Sequence, residues 1–285
     1  MKLARRLGAL VLAVIALGSW FSYSGQAGEV LNRIKKDGVI RMPQQSEWAP
    51  FSFTDSSGVH TGFDYEVARE IARRMGVTLK IVNNPDGSNI TWKDQTDGLK
   101  WDNKYDFVAA SMTPTAKRAE HIAFPTTYYY AVATLCVHAD NTTIKTPADA
   151  NGKRIEVQRA ATYETYLRRQ PFGIEGMAPV KYKIDDPQIV TFDNASEPFD
   201  ALAKGDGTAL DAIISYLPAI MDQIKHGKPF KIVGTPLFYV PQAVAIQPGD
   251  PELAEQITKI ITDMHKDGTL SKLSLKWLAL DMTTN

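Results

Sequence analysis

Segments with the pattern of β-strands alternate with amphipathic helical segments along most of this 285-residue chain. Residues 39–42 are typical of a strand, and apolar side chains spaced about four apart then predict a helix over 63–75 that ends at Gly76. Charged residues, beginning with Asp64, fill the other faces of this helix. Residues 78–82 alternate like a strand again. Such alternation predicts an α/β protein built from layers of helices and sheet.

The rest of the chain continues the pattern. Further predicted elements are strands at 132–137, 154–158 and 210–215 and a helix at 161–169. Asp250 is placed to cap a helix whose apolar stripe runs up to Gly268, and a second short helix around Trp277 closes the chain. The sequence contains no internal repeat and no low-complexity linker.

Charge and size narrow the possible partners and the domain organisation. The 32 basic residues balance the 32 acidic residues, so no broad electrostatic attraction to nucleic acid or to an anionic membrane is expected. The hydrophobic fraction of 44% is ordinary for a globular protein. A chain of this length favours two domains or lobes over one small core.

The first residues predict export. Lys2, Arg5 and Arg6 precede an uncharged apolar run at 7–17, and small residues then lead to Ala27. This is the pattern of a secretory signal peptide over residues 1–27, cleaved before Gly28. The alternative is a membrane anchor, which needs about 20 apolar residues, more than this run provides. Cleavage removes three basic residues and no acidic ones, leaving a mature chain with a charge of about −3.

No cofactor, metal site or catalytic motif is expected. Cys136 is the only cysteine, so an internal disulfide is excluded and a thiolate metal site has no second ligand. The five histidines are scattered, and the sequence has no phosphate-cradling glycine loop and no nucleophile elbow. An exported protein without disulfides points to the bacterial periplasm or the cell exterior.

One segment carries the outline of a carboxylate site. Residues 105–118 (YDFVAASMTPTAKR) form an apolar strand that ends in Ser111 and Thr113, and Arg118 follows five positions after Thr113. Hydroxyl and backbone N–H groups can donate to a carboxylate, and a guanidinium can bind both of its oxygens at once. The alternative is a strand end followed by a surface arginine.

From about residue 30 to 281 the chain resembles the periplasmic solute-binding proteins of polar amino-acid ABC transporters, which have the type II periplasmic binding fold. The resemblance rests on the order and spacing of five segments: EWAPFSFTDSSGVHTGFDYEVAREIARRMG (47–76), YDFVAASMTPTAKRAEHIAF (105–124), GKRIEVQRAATYE (152–164), ALDAIISYLPA (209–219) and GDPELAEQITKIITDMHKDGTLSKLSLKWLALD (249–281). These segments are more specific for the fold than for the ligand.

The resemblance implies two α/β lobes joined by two hinge strands that cross near residues 129–131 and 239–243. Lobe 1 would then comprise residues 28–129 and 241–285, and lobe 2 residues 130–240. Such a protein is a monomer that closes on a small carboxylate ligand by hinge motion. It delivers the ligand to an ABC importer in the inner membrane.

The resemblance also implies ligand contacts. Ser111, Thr113 and Arg118 match residues that bind the ligand's α-carboxylate, and Thr162 matches a residue of lobe 2 that completes this pocket. The remaining expected contacts are a stacking aromatic at Trp48, a second wall at Trp92 and a strand-end amide at Gln158. For both tryptophans the alternative is ordinary core packing, because Trp is usually mostly buried.

Two departures from the family pattern bear on the ligand. Tyr216 stands where the family has an Asp that accepts the ligand's α-ammonium, and a neutral phenol cannot neutralise a buried ammonium. Glu156 or Glu164 could substitute, the ligand could lack a primary ammonium, or an alkylated cation could contact Tyr216 and the tryptophans. Ala160 and Ala161 stand where the family usually has Gly-Thr, which changes the donors and the backbone approach to the carboxylate.

Two other functions stay open at this point. The same fold hosts cyclohexadienyl dehydratases, in which a Glu of the lobe 2 turn acts as a general acid, and Glu164 occupies the comparable position. The glycine-rich run expected of those enzymes is absent from this chain. The protein could also be a periplasmic accessory or sensory protein with a ligand that is not an amino acid. Fold alone does not decide between these functions.

Overall fold

The computed structural model describes residues 28–44, 47–99 and 101–284. The predicted signal peptide, residues 1–27, lies outside the described residues. The helices are α1 (Glu29–Asp37), α2 (Phe63–Met75), α3 (Trp92–Asp97), α4 (Ala116–Ala119), α5 (Thr162–Leu167), α6 (Glu197–Leu202), α7 (Leu217–Lys225), α8 (Pro251–Lys266) and α9 (Thr269–Leu278), with a 3-10 turn at Pro147–Ala150. No helix within these ranges is both long and apolar enough to span a membrane.

The strands are β1 (Val39–Pro43), β2 (Phe53–Thr54), β3 (His60–Thr61), β4 (Thr78–Val82), β5 (Phe107–Met112), β6 (Ala123–His138), β7 (Arg154–Gln158), β8 (Gln188–Phe192), β9 (Ala212–Tyr216) and β10 (Phe230–Ile246). The predicted α/β alternation is confirmed, and α2, β1, β4 and β7 lie where the sequence predicted them.

The predicted helix at 161–169 is shorter in the structure. Ala161 has the extended backbone of an N-cap residue and precedes the first helical residue. At the other end Arg169 has a positive φ of 55°, which a right-handed helix cannot continue through. The predicted strand at 210–215 begins two residues later, at Ala212, and extends to Tyr216.

Two long strands were underestimated from the sequence. β6 covers 16 residues, far more than the six predicted at 132–137, and β10 covers 17 residues. Gly234, Pro236 and Pro241 interrupt the sequence of β10, and such residues are typical of turns or of strand edges. Register shifts in the pairing of β10 with β6, between Val233 and Phe238, accommodate this stretch.

The strands form a parallel pair of β1 and β4, a small antiparallel pair of β2 and β3, and one six-stranded sheet. The order in the large sheet is β5-β10-β6-β9-β7-β8. β5 pairs with the last residues of β10, whereas β9 pairs with the last residues of β6. The long antiparallel strands β6 and β10 therefore carry the sheet from one lobe to the other.

The predicted hinge crossings fall inside this long pair. Tyr129, Tyr130 and Ala131 of β6 lie opposite Gln242, Pro241 and Val240 of β10, respectively. Both crossings thus lie side by side in one antiparallel ribbon. The residue boundaries given above for the two lobes stay a prediction.

The two ends of the described chain are joined through Asp250. Its carboxylate caps α8 by accepting from the Leu253 N–H at 2.9 Å, as predicted. The other carboxylate oxygen accepts from Val30 N–H at 2.9 Å and Leu31 N–H at 3.0 Å, in the first turn of α1. Helix α8, which the sequence placed in the second segment of lobe 1, is therefore attached to the helix that begins the described chain.

The structure corrects the predicted environment of Asp64 in helix α2. The sequence placed it on a polar face, yet its side chain is completely buried. Gly62 has a φ of 112° and approaches the Phe51 carbonyl oxygen so closely that a Cβ atom would not fit there. This close approach brings the first turn of α2 against the Trp48–Phe51 segment and turns Asp64 toward the end of β5.

Candidate ligand-binding site

One small cavity is lined by all eight residues that the sequence analysis proposed for ligand contacts. These are Trp48, Trp92, Ser111, Thr113, Arg118, Gln158, Thr162 and Tyr216. The carboxyl ends of β5, β7 and β9 deliver four of them, as expected for a cleft between lobes of an α/β protein. The cavity measures about 30 Å³, where roughly 10–15 Å³ would hold one water molecule.

Arg118 supplies a buried positive charge at one end of the cavity. Only 7% of the residue is exposed, and its guanidinium donates to the carbonyls of Thr113 at 2.9 Å and Ala160 at 2.8 Å. No carboxylate within the described chain lies within ion-pair distance of it. Burial lowers the pKa of Arg118 to about 10, so it stays charged at neutral pH. A buried charge without a counter-ion favours binding of an anion.

Trp92 lines the cavity and also contacts Arg118. The guanidinium carbon lies 5.4 Å from the centre of the indole ring, within cation–π range. The indole N–H is buried and has no hydrogen-bond partner among the described residues. Trp92 is therefore placed to orient the guanidinium as well as to form a wall.

Ser111 reaches the cavity with its hydroxyl already engaged. The hydroxyl donates to Asp64 at 2.8 Å and accepts from the Tyr129 hydroxyl at 2.6 Å. Its backbone N–H donates to the Tyr128 hydroxyl at 2.7 Å, and its φ of 52° lies in the left-handed region. A serine in this conformation is strained, and these hydrogen bonds hold it there.

Asp64 is the partner that the sequence analysis missed. Burial raises its pKa to about 7, although hydrogen bonds from Tyr128 and Ser111 lower it. The Tyr128 hydroxyl donates to it at 2.7 Å. Asp64 does not line the cavity, so it supports Ser111 from behind and does not face a ligand.

The network around the Tyr216 hydroxyl is the neutral end of the cavity, and it adjoins Arg118 through Thr113. This hydroxyl lies 3.3 Å from the hydroxyls of both Thr113 and Thr162 and accepts from the Gln242 amide at 2.9 Å. The Gln242 amide also lies 3.1 Å from the Thr113 hydroxyl, and Gln242 is completely buried. No group in this network carries a charge at neutral pH.

Aromatic rings pack around the Tyr216 side of the cavity. Trp48 stacks on Phe51, with ring centres 4.4 Å apart and planes inclined by 26°. The Tyr216 ring centre lies 5.7 Å from that of Trp48 and 5.0 Å from that of Tyr163. Trp48 therefore packs on the core and also forms part of the cavity wall.

Neither acid considered as a substitute for the missing Asp lines the cavity. Glu156 is buried within β7, where burial and the nearby Glu197 raise its pKa to about 7. Glu164 lies in a neighbouring groove, accepts from the Ala160 N–H at 2.8 Å and pairs with Arg168 at 2.8 Å. Of the three alternatives raised by Tyr216, substitution by Glu156 or Glu164 is therefore not supported by the cavity lining.

Ala160 has a backbone conformation in the left-handed region, which favours glycine. Its φ is 61°, which costs a residue with a Cβ roughly 1 kcal/mol. Its carbonyl accepts from Arg118 and its N–H donates to Glu164. These two bonds hold the turn in place before α5.

The structure adds residues that sequence reasoning did not single out. Ser52, Tyr163 and Ala195 line the cavity, and Gln242 bonds to two of its lining residues from the hinge ribbon. A polar Gln242 within the apolar stretch at 237–246 was the available signal. Gln158 ends β7 as predicted, and its amide donates to the Asp193 carbonyl at 3.3 Å.

The sequence profile of the bacterial extracellular solute-binding proteins, family 3, matches residues 40–280. Since this match covers well over half of the chain, the chain belongs to that family. Among curated relatives, the L-cystine-binding protein TcyJ of Escherichia coli (strain K12) is 26% identical over 279 residues, which cover 97% of this chain and 96% of the relative.

Solved structures of amino-acid-binding proteins match the fold. A mutant of ArgBP from T. maritima superposes with a TM-score of 0.73 at 26% identity, covering 88% of this chain and 100% of that one. The ancestral amino acid-binding protein AncCDT-1, a precursor of cyclohexadienyl dehydratase, gives 0.72 at 30% identity, covering 87% and 99%. The fold is the two-lobed type II periplasmic binding fold, as predicted.

Proposed function

We propose that this protein is a periplasmic binding protein that captures a small carboxylate between its two lobes and delivers it to an ABC importer. The observation that carries the proposal is Arg118, a buried guanidinium at the cavity whose hydrogen-bond partners are uncharged carbonyls. A ligand carboxylate would supply the missing negative charge.

The family and its relatives support this role. The named relatives are binding proteins for amino acids, and the family is one of extracellular solute-binding proteins. We place the protein in the periplasm for the same reason, together with the signal-peptide pattern of residues 1–27. In this proposal the ligand stabilises the closed arrangement by contacts from both lobes, as a population shift about the β6–β10 ribbon.

An enzymatic role is not favoured. The residue that would act as general acid, Glu164, lies outside the cavity and is held by Arg168 and the Ala160 N–H. Its carboxylate is therefore committed to structural contacts. We propose no catalytic residues.

Thermal unfolding of the purified protein, first unfolded and refolded to remove carried ligand, tests the proposal. The panel comprises proteinogenic amino acids, N-methylated and opine-type derivatives, and keto and hydroxy acids. A bound compound raises the unfolding temperature by mass action. Arg118→Ala should reduce the affinity for that compound by about 100-fold or more, because its carboxylate would lose a charged donor.

Lys117→Ala is the matched control, since Lys117 is the exposed neighbour of Arg118 on the same short helix. We expect its affinity to stay within about threefold of the wild-type value. If Arg118→Ala binds as tightly as the wild type, the carboxylate assignment is wrong.

A further inference from the structure

The cavity has an unbalanced charge. Among the residues that the structure describes, Arg118 is the only charged residue that lines the cavity. An anion would balance Arg118. A zwitterionic amino acid would balance it with its carboxylate but would leave its ammonium without a counter-ion.

No acid of the described chain lines the cavity. Every Asp and Glu of the chain lies in the described ranges. Asp64 is buried and bonded to Ser111 and Tyr128, and Glu156 is buried within β7. Neither of these two residues lines the cavity.

The neutral end offers hydrogen bonds of the kind that a hydroxyl or keto oxygen needs. The Tyr216 hydroxyl accepts from Gln242 at 2.9 Å, which leaves its own proton free to donate. Its contacts with Thr113 and Thr162 are long, at 3.3 Å each. A ligand oxygen at this end could accept from Tyr216 at a shorter distance than either threonine does.

An aromatic cage for an alkylated cation is disfavoured by the packing. The ring centre of Tyr216 lies 5.7 Å from that of Trp48 and 5.0 Å from that of Tyr163. These rings therefore pack against one another and do not surround a space for a cation. The Trp92 face is used by the Arg118 guanidinium. A second cation at that face would be repelled by the first.

We infer that the ligand is a small carboxylate with a hydroxyl or keto oxygen on its α carbon in place of the primary ammonium of an amino acid. Arg118 would bind the carboxylate, and Tyr216, supported by Gln242, would donate to the α oxygen. This inference rests on the proposed function, because it assigns the ligand class of the same cavity.

The test is calorimetry on matched triplets that share a side chain and differ only at the α position. We would use glycine, glycolate and glyoxylate; L-alanine, L-lactate and pyruvate; L-valine and L-phenylalanine with their hydroxy and keto acids; and glycine betaine as the alkylated cation. In at least one triplet the hydroxy or keto acid should bind roughly 30-fold more tightly than the amino acid. Arg118→Ala should remove this binding.

Each other outcome overturns the inference in a distinguishable way. If an amino acid binds as tightly as its matched acid and depends on Arg118, the ligand class is wrong but the proposed function stands. If only glycine betaine binds, a cation is recognised and the inference fails. If no compound binds, the inference and the proposed function fail together.

Tyr216→Asp, compared with Tyr216→Asn, sharpens the test. Both variants lose the same ring packing, and only the first restores a carboxylate at the neutral end. We expect the ratio of amino-acid to hydroxy-acid affinity to rise roughly tenfold or more in the Asp variant relative to the Asn variant. An unchanged ratio would mean that position 216 does not face the α substituent.

Discussion

At one end of the cavity a buried guanidinium donates to two backbone carbonyls, whereas the other end is held together by neutral hydroxyl and amide groups. Both ends are almost equally buried, since Arg118 is 7% exposed and Tyr216 is 3% exposed. The difference between them is therefore charge and not access to solvent. It indicates that the site recognises a carboxylate by charge and the rest of the ligand by neutral hydrogen bonds.

The largest effect on this comparison is expected from a variant that keeps the positive charge at position 118 but removes the planar geometry of the guanidinium donors. Arg118→Lys retains one positive charge but loses the planar pair of donors that can bind both carboxylate oxygens. Its shorter reach to the carbonyls of Thr113 and Ala160 also leaves these acceptors unpaired. We expect the affinity for the panel's tightest compound to fall about 100-fold, measured by calorimetry.

Lys117→Arg serves as the control for this variant, because it makes the reverse change on the exposed neighbouring residue. Wild-type affinity in Arg118→Lys would show that charge alone is enough at this end of the cavity.

The neutral end is tested by Tyr216→Phe, which keeps the ring and removes the hydroxyl. Gln242 would then lose its 2.9 Å acceptor inside a fully buried network. Leaving a buried donor unpaired costs about 1–3 kcal/mol, so we expect the free energy of unfolding to drop by that amount. Urea titration measures it, and Tyr239→Phe is the control, because Tyr239 is 59% exposed. Equal stability of the two variants would show that the network contributes nothing.

Asp64 provides a test of whether the buried carboxylate that supports Ser111 is ionised. Its pKa is raised from 3.8 to about 7 by burial, so the folded state favours its protonated form. The stabilisation is complete below pH 3.8 and is lost as the pH rises through about 7. Asp64→Asn should reduce this fall in the free energy of unfolding by about 1 kcal/mol per pH unit.

Glu156→Gln is the matched comparison, because burial also raises the pKa of Glu156 to about 7. Denaturant titrations from pH 4 to pH 7 should show that each variant removes part of the decline seen in the wild type. A wild-type decline in Asp64→Asn would mean that Asp64 is ionised in the fold.

The smallest expected effect concerns the turn at Ala160, whose carbonyl accepts a hydrogen bond from Arg118. Ala160 has a φ of 61°, whereas Ala148, an exposed residue of the 3-10 turn, has no positive φ. Ala160→Gly relieves strain and adds flexibility to the unfolded chain, so its net effect should be below about 0.5 kcal/mol. Ala148→Gly adds only the flexibility and should destabilise by about 0.5–1 kcal/mol. Thermal unfolding distinguishes the two, and equal losses would show that Ala160 is unstrained.

Local patterns were enough to predict several of the regular elements. The helix α2 and the strand β7 follow from side-chain spacing, and the cap at Asp250 follows from its position before Pro251. These features depend on residues close together in the chain. The long strand β10 was missed because Gly234, Pro236 and Pro241 interrupt its pattern, and only pairing with β6 makes it continuous.

The eight proposed ligand contacts all line one cavity, but the sequence did not reveal which distant residues hold them by hydrogen bonds. Asp64 was placed on a polar helix face, because nothing in its own helix indicates that Ser111, 47 positions away, will bond to it. Gln242 lies 129 positions from Thr113 and 26 from Tyr216. Such contacts are fixed by packing between distant segments, which helical or strand periodicity does not encode.

The sequence by itself determined the α/β class, the family and the presence of Arg118 with Tyr216 in place of an acid. These follow from local spacing and from the order of motifs along the chain. Only the tertiary structure decided that Arg118 is buried without a carboxylate and that Glu156 and Glu164 stay outside the cavity. The physical reason is that the charge balance of a buried site depends on which side chains the fold brings within a few ångströms of each other.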